Sequence, residues 1–272
     1  MIYSNNLIRF AFYGFLLIEL PSIQSPLFGA DAIAPKIIRV AIYADAGATK
    51  TDVPQVEHCL PSSKGFEVKP VTAEQIRSGA LKDFDVLIHP GGAASKQAST
   101  LGDEGREAVK QFVTDGGGFI GICAGAYLAS AEYPWSLGLL DAHVLDRAHW
   151  ARGQGDVKLR LSHAGQDSLA SEKEVCTIHY ENGPLLGPGK KDDIEDFEPL
   201  AAYETEIRDN GAPVGAMKGT TAIARGKFGK GHVVCFSPHP EKTPGREPFL
   251  QSAVRWAAKK SDDRASTRVT TP

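Results

Sequence analysis

The sequence predicts an α/β protein: a doubly wound, mostly parallel sheet flanked by helices, with some antiparallel strands in its C-terminal half. Three observations carry this. In the first half, β-branched apolar runs alternate with helix-length segments. Those runs stop at turn-forming residues, among them Gly47, Pro90-Gly91-Gly92 and the Gly121–Gly125 stretch. In the second half the runs lose their helical spacers, and Gly229-Lys230-Gly231 separates two of them as a hairpin signal.

In order along the chain, Ile37–Ala44 (IIRVAIYA) reads as a buried first strand, followed by a helix over Val53–Leu60. Phe66–Val71 is a second strand. Thr72-Ala73-Glu74-Gln75 has the capping-box spacing that opens a short helix ending near Gly79. Phe84–His89 is a third strand running into Pro90-Gly91-Gly92. Ala108, Val109, Phe112 and Val113 give Asp103–Thr114 helical spacing, and Gly116 stops that helix. Gly118–Ile122 is a fourth strand that ends at Cys123. Beyond it, strands are expected at Asp156–Leu161, Val175–Tyr180, Leu200–Glu204, Thr221–Lys227 and His232–Ser237, with a closing helix over Glu247–Lys259.

The chain has 272 residues and a net charge of −3, with no block of Lys and Arg, which argues against nucleic acid as a partner. Arg9, the apolar run Phe10–Ile18 and the A-x-A pattern Ala30-Asp31-Ala32 read as an export signal over residues 1–32. An uncleaved apolar anchor or a misassigned start codon is the alternative. The run is shorter than the roughly 20 residues a membrane span needs, so no stable span is expected after cleavage. One domain is expected over residues 33–260, and the charged, Ser/Thr-rich residues 261–272 read as a flexible tail. The protein is therefore expected outside the cytoplasm, periplasmic or secreted. Composition is silent on oligomeric state.

Four cysteines, Cys59, Cys123, Cys176 and Cys235, form neither a dense disulfide framework nor a metal-ligand spacing. Cys176 and Cys235 sit in strand-like apolar runs, as small core residues do. His143 and His149 share no helix or strand face, so no metal site is expected there, and no cofactor is implied. Asp192–Asp196 reads as a solvated acidic loop. Trp135 and Trp150 flank a segment that either walls a pocket or packs a surface loop.

Gly121-Ile122-Cys123-Ala124-Gly125 has the glycine-x-nucleophile-x-glycine form of a strand-to-helix elbow. Such a turn lifts the thiol to the start of a helix, where the dipole favours thiolate and the Ala124 N–H is a natural oxyanion donor. A small thiol packed in a glycine turn satisfies the same pattern. A nucleophile needs a base and an orienter. His239, between two prolines at a strand end, has Glu241 two residues on. Gly91-Gly92, at the end of the third strand, frees backbone N–H groups to approach a substrate oxygen. His89 lacks a neighbour for proton transfer and reads as structural.

Together "LIHPGGAAS" (Leu87–Ser95), "GGGFIGICAGAYLAS" (Gly116–Ser130), "IHYENGPLL" (Ile178–Leu186) and "HVVCFSPHPE" (His232–Glu241) resemble the biotin–protein ligase N-terminal domain family, within the class I glutamine amidotransferase-like superfamily. The resemblance runs from about Ile37 to about Ala258 and implies a flavodoxin-like fold. It implies a Cys123–His239–Glu241 triad, with oxyanion or substrate contacts from Gly91, Gly92, Ala124, Tyr180 and Asn182. Glu181 is inserted where the family pattern runs from Tyr directly to Asn. The GRGRxx-type loop of the ligases is absent, so biotin transfer is not expected. What remains implied is hydrolysis of an amide or related acyl group, on a small molecule or peptide, through a thioacyl intermediate. A non-catalytic ligand-binding or envelope-interaction module on the same fold is the alternative.

Overall fold

The computed structural model describes Met1, Ile2 and residues 37–259, and every element below belongs to the unit Pro35–Pro272. The expected leader, from residue 3 onward, and the expected tail at 261–272 lie outside the described residues. No helix among the described residues is long and apolar enough to cross a membrane.

The first half alternates strand and helix: β1 (Ile38–Tyr43), α1 (Asp52–Cys59), β2 (Phe66–Val71), α2 (Ala73–Arg77), β3 (Val86–His89), α3 (Ala94–Thr114), β4 (Gly118–Ile122) and α4 (Ala124–Ala129). The second half contributes β5 (Ala142–Leu145), β6 (Gln154–Leu161), α5 (His163–Ser168), β7 (Val175–Glu181), β8 (Leu185–Pro188), β9 (Glu198–Tyr203), β10 (Thr221–Phe228), β11 (Gly231–Phe236) and α6 (Glu247–Ala257). The sheet order is β2-β1-β3-β4-β11-β10-β9-β6-β7, with the β5–β8 pair joined to it at β10. From β2 to β11 every pairing is parallel, and beyond β11 every pairing is antiparallel. β11 thus enters the parallel set from the far end of the chain, which brings the late residues of the sequence beside Cys123.

Side-chain alternation sorts the parallel strands between two cores. Val40, Ile42, Ile120, Ile122, Val234 and Phe236 face one side, where α1 and α6 supply Val56, Leu250 and Val254. Ala41, Tyr43, Phe119, Val233 and Cys235 face the other, covered by Ile76 of α2, Leu101 and Val109 of α3 and Leu128 of α4. Both faces are dry, so these strands carry apolar runs instead of strict alternation.

Local signals worked where they were chemical. Thr72 accepts from the Gln75 N–H at 3.3 Å, and the Gln75 side chain accepts from the Thr72 N–H at 2.9 Å, completing the capping box. Phe228 pairs with Gly231 across the two-residue turn at Gly229-Lys230. The helix expected at Asp103 starts earlier, at Ala94. Gly102 breaks it, with φ 66 and ψ −178, into two runs whose shared buried face reaches back to Gln97, Ala98 and Leu101. All four cysteines are free and buried. His143 pairs with Glu132 at 2.7 Å and His149 with Asp146 at 2.6 Å, so each imidazole has its own carboxylate. Asp192–Asp196 is largely exposed.

The elbow depends on two missing side chains. A Cβ on Gly121 would lie 2.4 Å from the Gly125 carbonyl oxygen, and one on Gly125 would lie 2.1 Å from that of His89. Gly121→Ala is therefore expected to push the start of α4 off the sheet and cost about 2–3 kcal/mol. Thermal denaturation checks this, and an unchanged Tm would show that the helix start yields freely.

Candidate functional site

Three adjacent parallel strands end together. His89 is in register with Gly121, and Phe236 with Ile122, so the residues following β3, β4 and β11 meet at one carboxyl edge. The Cys123 N–H donates to the Phe236 carbonyl at 2.8 Å. Cys123 itself has φ 50 and ψ −99, a conformation that costs a non-glycine residue of the order of 1–3 kcal/mol and marks a turn held from outside.

His239 is clamped as firmly. Its N–H donates to the His179 carbonyl at 2.8 Å, and its own carbonyl accepts from the Thr243 hydroxyl at 2.8 Å. Its Nδ1 meets Glu241 Oε1 at 2.6 Å, with both side chains buried. His239 Nε2 has no hydrogen bond of ordinary geometry. The Cys123 sulfur is near enough to act on its protonation, yet Sγ donates instead to the Glu181 carbonyl at 3.3 Å. Burial alone would lower the imidazole pKa. The neighbouring Cys123 sulfur and Glu241 carboxylate outweigh it and raise the pKa from 6.5 to about 10.

The loop after β3 closes another side. Gly92 has φ 131, and a Cβ there would lie 2.1 Å from the Gly47 carbonyl oxygen. Flanking bonds, Thr49 N–H to Gly91 O at 3.0 Å and Ala93 N–H to Gly47 O at 2.8 Å, fasten this loop to the one after β1. His89 is fully buried between Tyr43 and Phe119, with Nδ1 on Gln97 Oε1 at 2.9 Å. Desolvation lowers its pKa to about 4. It is a neutral structural residue, as expected.

Cys123, His239, Gly92 and Asn182 all line one pocket of about 530 Å³, within the usual range for small-molecule sites. Ala124 is buried at the start of α4, where backbone N–H groups lack helical partners. Gly91 and Tyr180 stand behind the wall. Gly91 packs between Asp52 and His239. Tyr180 is wholly buried, donates to the Gly183 carbonyl at 2.8 Å and meets Tyr203 edge-on, so it props the loop instead of facing the pocket. Asn182 holds φ 51, and its Oδ1 accepts from the Gly153 N–H at 2.9 Å. Glu181 sets its carbonyl on the Cys123 thiol and lines the pocket. Trp135 and Trp150 also line it.

Two functional candidates escaped sequence reasoning. Asp52, fully buried, and Lys242 both line the pocket, and Lys242 Nζ bridges Asp52 at 3.1 Å and Glu181 at 2.9 Å. The available signals were a carboxylate opening the helix after β1, and a lysine directly following Glu241. Among the described residues, Asp52, His239 and Glu241 offer ligand atoms within 4.8 Å of one another and could hold a cation. In the arrangement seen, His239 Nδ1 is already engaged by Glu241.

Residues 38–149 match the family model for the N-terminal domain of biotin-protein ligase. The matched stretch includes Gly91, Gly92 and Cys123 and stops before His239 and Glu241. No curated protein matches. Among solved structures, PurLQS from Thermotoga maritima is 18% identical, covering 81% of this chain and 99% of its own, with a TM-score of 0.57. A ThuA-like protein of Parabacteroides merdae is 12% identical, covering 87% and 94%, with a TM-score of 0.54. The chain therefore has the mixed α/β architecture of these proteins, and the resemblance read from its motifs to the biotin–protein ligase N-terminal and amidotransferase-like group holds at the level of fold.

The raised His239 pKa has a consequence for stability. A group whose pKa rises from 6.5 unfolded to about 10 folded stabilises fully below pH 6.5, and that contribution is lost as pH climbs towards 10. Urea unfolding is expected to show stability falling across this window. Glu241→Gln removes one cause of the shift and should flatten the slope. An equally steep slope in the variant would remove Glu241 as a cause.

Proposed function

We propose that this chain is a cysteine hydrolase that cleaves an amide or related acyl bond, exported to act outside the cytoplasm. The carrying observation is a buried imidazole held by a carboxylate at 2.6 Å, its other nitrogen unpartnered, in one pocket with a thiol at a strand-to-helix elbow. The likeness of residues 38–149 to the biotin-protein ligase N-terminal model supports the reading over the nucleophile half. The leader at residues 1–32 supports export.

In this mechanism Cys123 turns from the Glu181 carbonyl towards His239 Nε2 and reacts as the thiolate of a thiolate–imidazolium pair. The thiolate adds to the substrate carbonyl carbon, and the resulting oxyanion is met by N–H groups at Gly92 and Ala124. Collapse breaks the carbon–nitrogen bond while His239 returns the proton to the leaving amine. His239 then deprotonates a water that attacks the thioester, releasing the carboxylic acid and restoring the thiol. Glu241 holds the ring and stabilises the imidazolium at each step.

The bond from Cys123 to Glu181 also favours a second reading, a non-catalytic module that binds a small ligand with its thiol parked on a carbonyl. One experiment separates them. With Cys59, Cys176 and Cys235 buried, iodoacetamide at pH 7 is expected to label wild type once, to leave Cys123→Ala unlabelled, and to label His239→Ala about 10-fold or more slowly. Turnover of an amide and ester panel should vanish in Cys123→Ala. Labelling only above pH 8 with no turnover would select the binding module.

A further inference from the structure

Two unlike sets of side chains line the pocket. One holds Cys123, His239 and the charged trio Asp52, Lys242 and Glu181. The other is an aromatic wall of Tyr127, Tyr133, Trp135 and Trp150. Tyr133 and Trp135 are stacked, with centroids 4.5 Å apart and planes 5° from parallel. Trp150 is 58% exposed, among the few large hydrophobic side chains in the described residues left in water. A pocket-lining indole left that wet is a surface largely uncovered by the described residues.

The charges of the pocket do not cancel. Lys242 is the only Lys or Arg among its lining residues, and its ammonium is already shared by Asp52 and Glu181 at 3.1 and 2.9 Å. Two carboxylates around one ammonium leave a negative surplus. Glu241, buried directly behind His239, balances the charge of its imidazolium. Glu181 keeps 39% of its side chain exposed. The aromatic wall also holds a cation on its own account, since the Arg147 guanidinium sits 5.4 Å from the Tyr133 ring centroid.

A surplus carboxylate in one pocket with aromatic rings is the environment that stabilises an organic cation. Carboxylates supply the net charge, and the ring faces replace water around a weakly hydrated ammonium. An anionic substrate would meet the opposite, because the one ammonium that could receive it is taken.

We propose that this pocket selects substrates carrying a protonated or quaternary amine, seated between Glu181 and the Tyr127–Trp150 wall with the acyl group at Cys123. The proposal rests on the pocket being the substrate site of the hydrolase read above, and it names the substrate class that the reaction leaves open.

Binding is measured on Cys123→Ala, where no chemistry intrudes, by tryptophan fluorescence with choline, its neutral isostere 3,3-dimethylbutan-1-ol, and the acid 3,3-dimethylbutanoate. Choline is expected to bind about tenfold or more tightly than the alcohol, and the acid more weakly still. Glu181→Gln should weaken choline several-fold and leave the alcohol nearly unchanged, and Trp150→Ala should weaken choline clearly more than the alcohol. In wild type, choline and not the alcohol should slow alkylation of Cys123. Equal affinity for cation and isostere, preference for the acid, or no saturable choline binding would each overturn the proposal. A choline preference without turnover would sink the hydrolase and leave the cation site standing. Turnover without the preference would do the reverse.

Discussion

The hydrogen bond from the Cys123 N–H to the Phe236 carbonyl, 2.8 Å long, ties the end of β4 to the end of β11. Much of the site follows from it. The bond holds the strained turn at Cys123 open, and it fixes where the chain leaves β11, three residues before His239. The two glycines of the elbow serve the same end, since a side chain on either would meet backbone oxygen. The nucleophile is thus placed by backbone geometry, which is stiffer than any arrangement of flexible side chains.

Around that backbone the site collects more buried charge than a core tolerates without reason. Asp52 and Glu241 are both carboxylates removed from water, and each keeps an oxygen with no hydrogen-bond partner. Desolvation of such groups costs several kcal/mol apiece when uncompensated. Compensation comes from Lys242 on one side and from the His239 imidazole, whose affinity for its proton is raised, on the other. The pocket is therefore electrostatically tense in a way that pure packing would not produce, and tension of this kind gathers where charge develops during a reaction or on binding.

Much of this was legible in the chain. The strands of the parallel half could be read because burial on both faces leaves uninterrupted Val and Ile runs, and the elbow because only glycine fits on both sides of its turn. Cys123, His239 and Glu241 stood out because their chemistry requires partners, and the topology brings those partners to one edge. What escaped had no local mark. Asp52 and Lys242 meet only because the helix after β1 and the loop after β11 converge in space. Tyr180 was expected at the substrate because of its place in the HYENGP segment, but strand alternation turns its ring inward. The first run of α3 hid behind Gly102, whose φ of 66 interrupts the helical period without ending the buried face.

Four free, buried thiols in one chain give the protein an internal clock. Cys123 opens onto a cavity, whereas burial pushes Cys59 to a pKa of about 12 and Cys235 higher still, leaving them inert while the sheet is closed. Cys59 ends α1, Cys176 lies in β7 and Cys235 in β11, so each thiol reports on a different region of the fold. The order in which they become chemically visible records the order in which the architecture breathes: outer helix, antiparallel wing or central parallel strands. In an oxidising compartment that order also sets the hazard, because the first region to open is the first whose sulfur can be captured before it closes again.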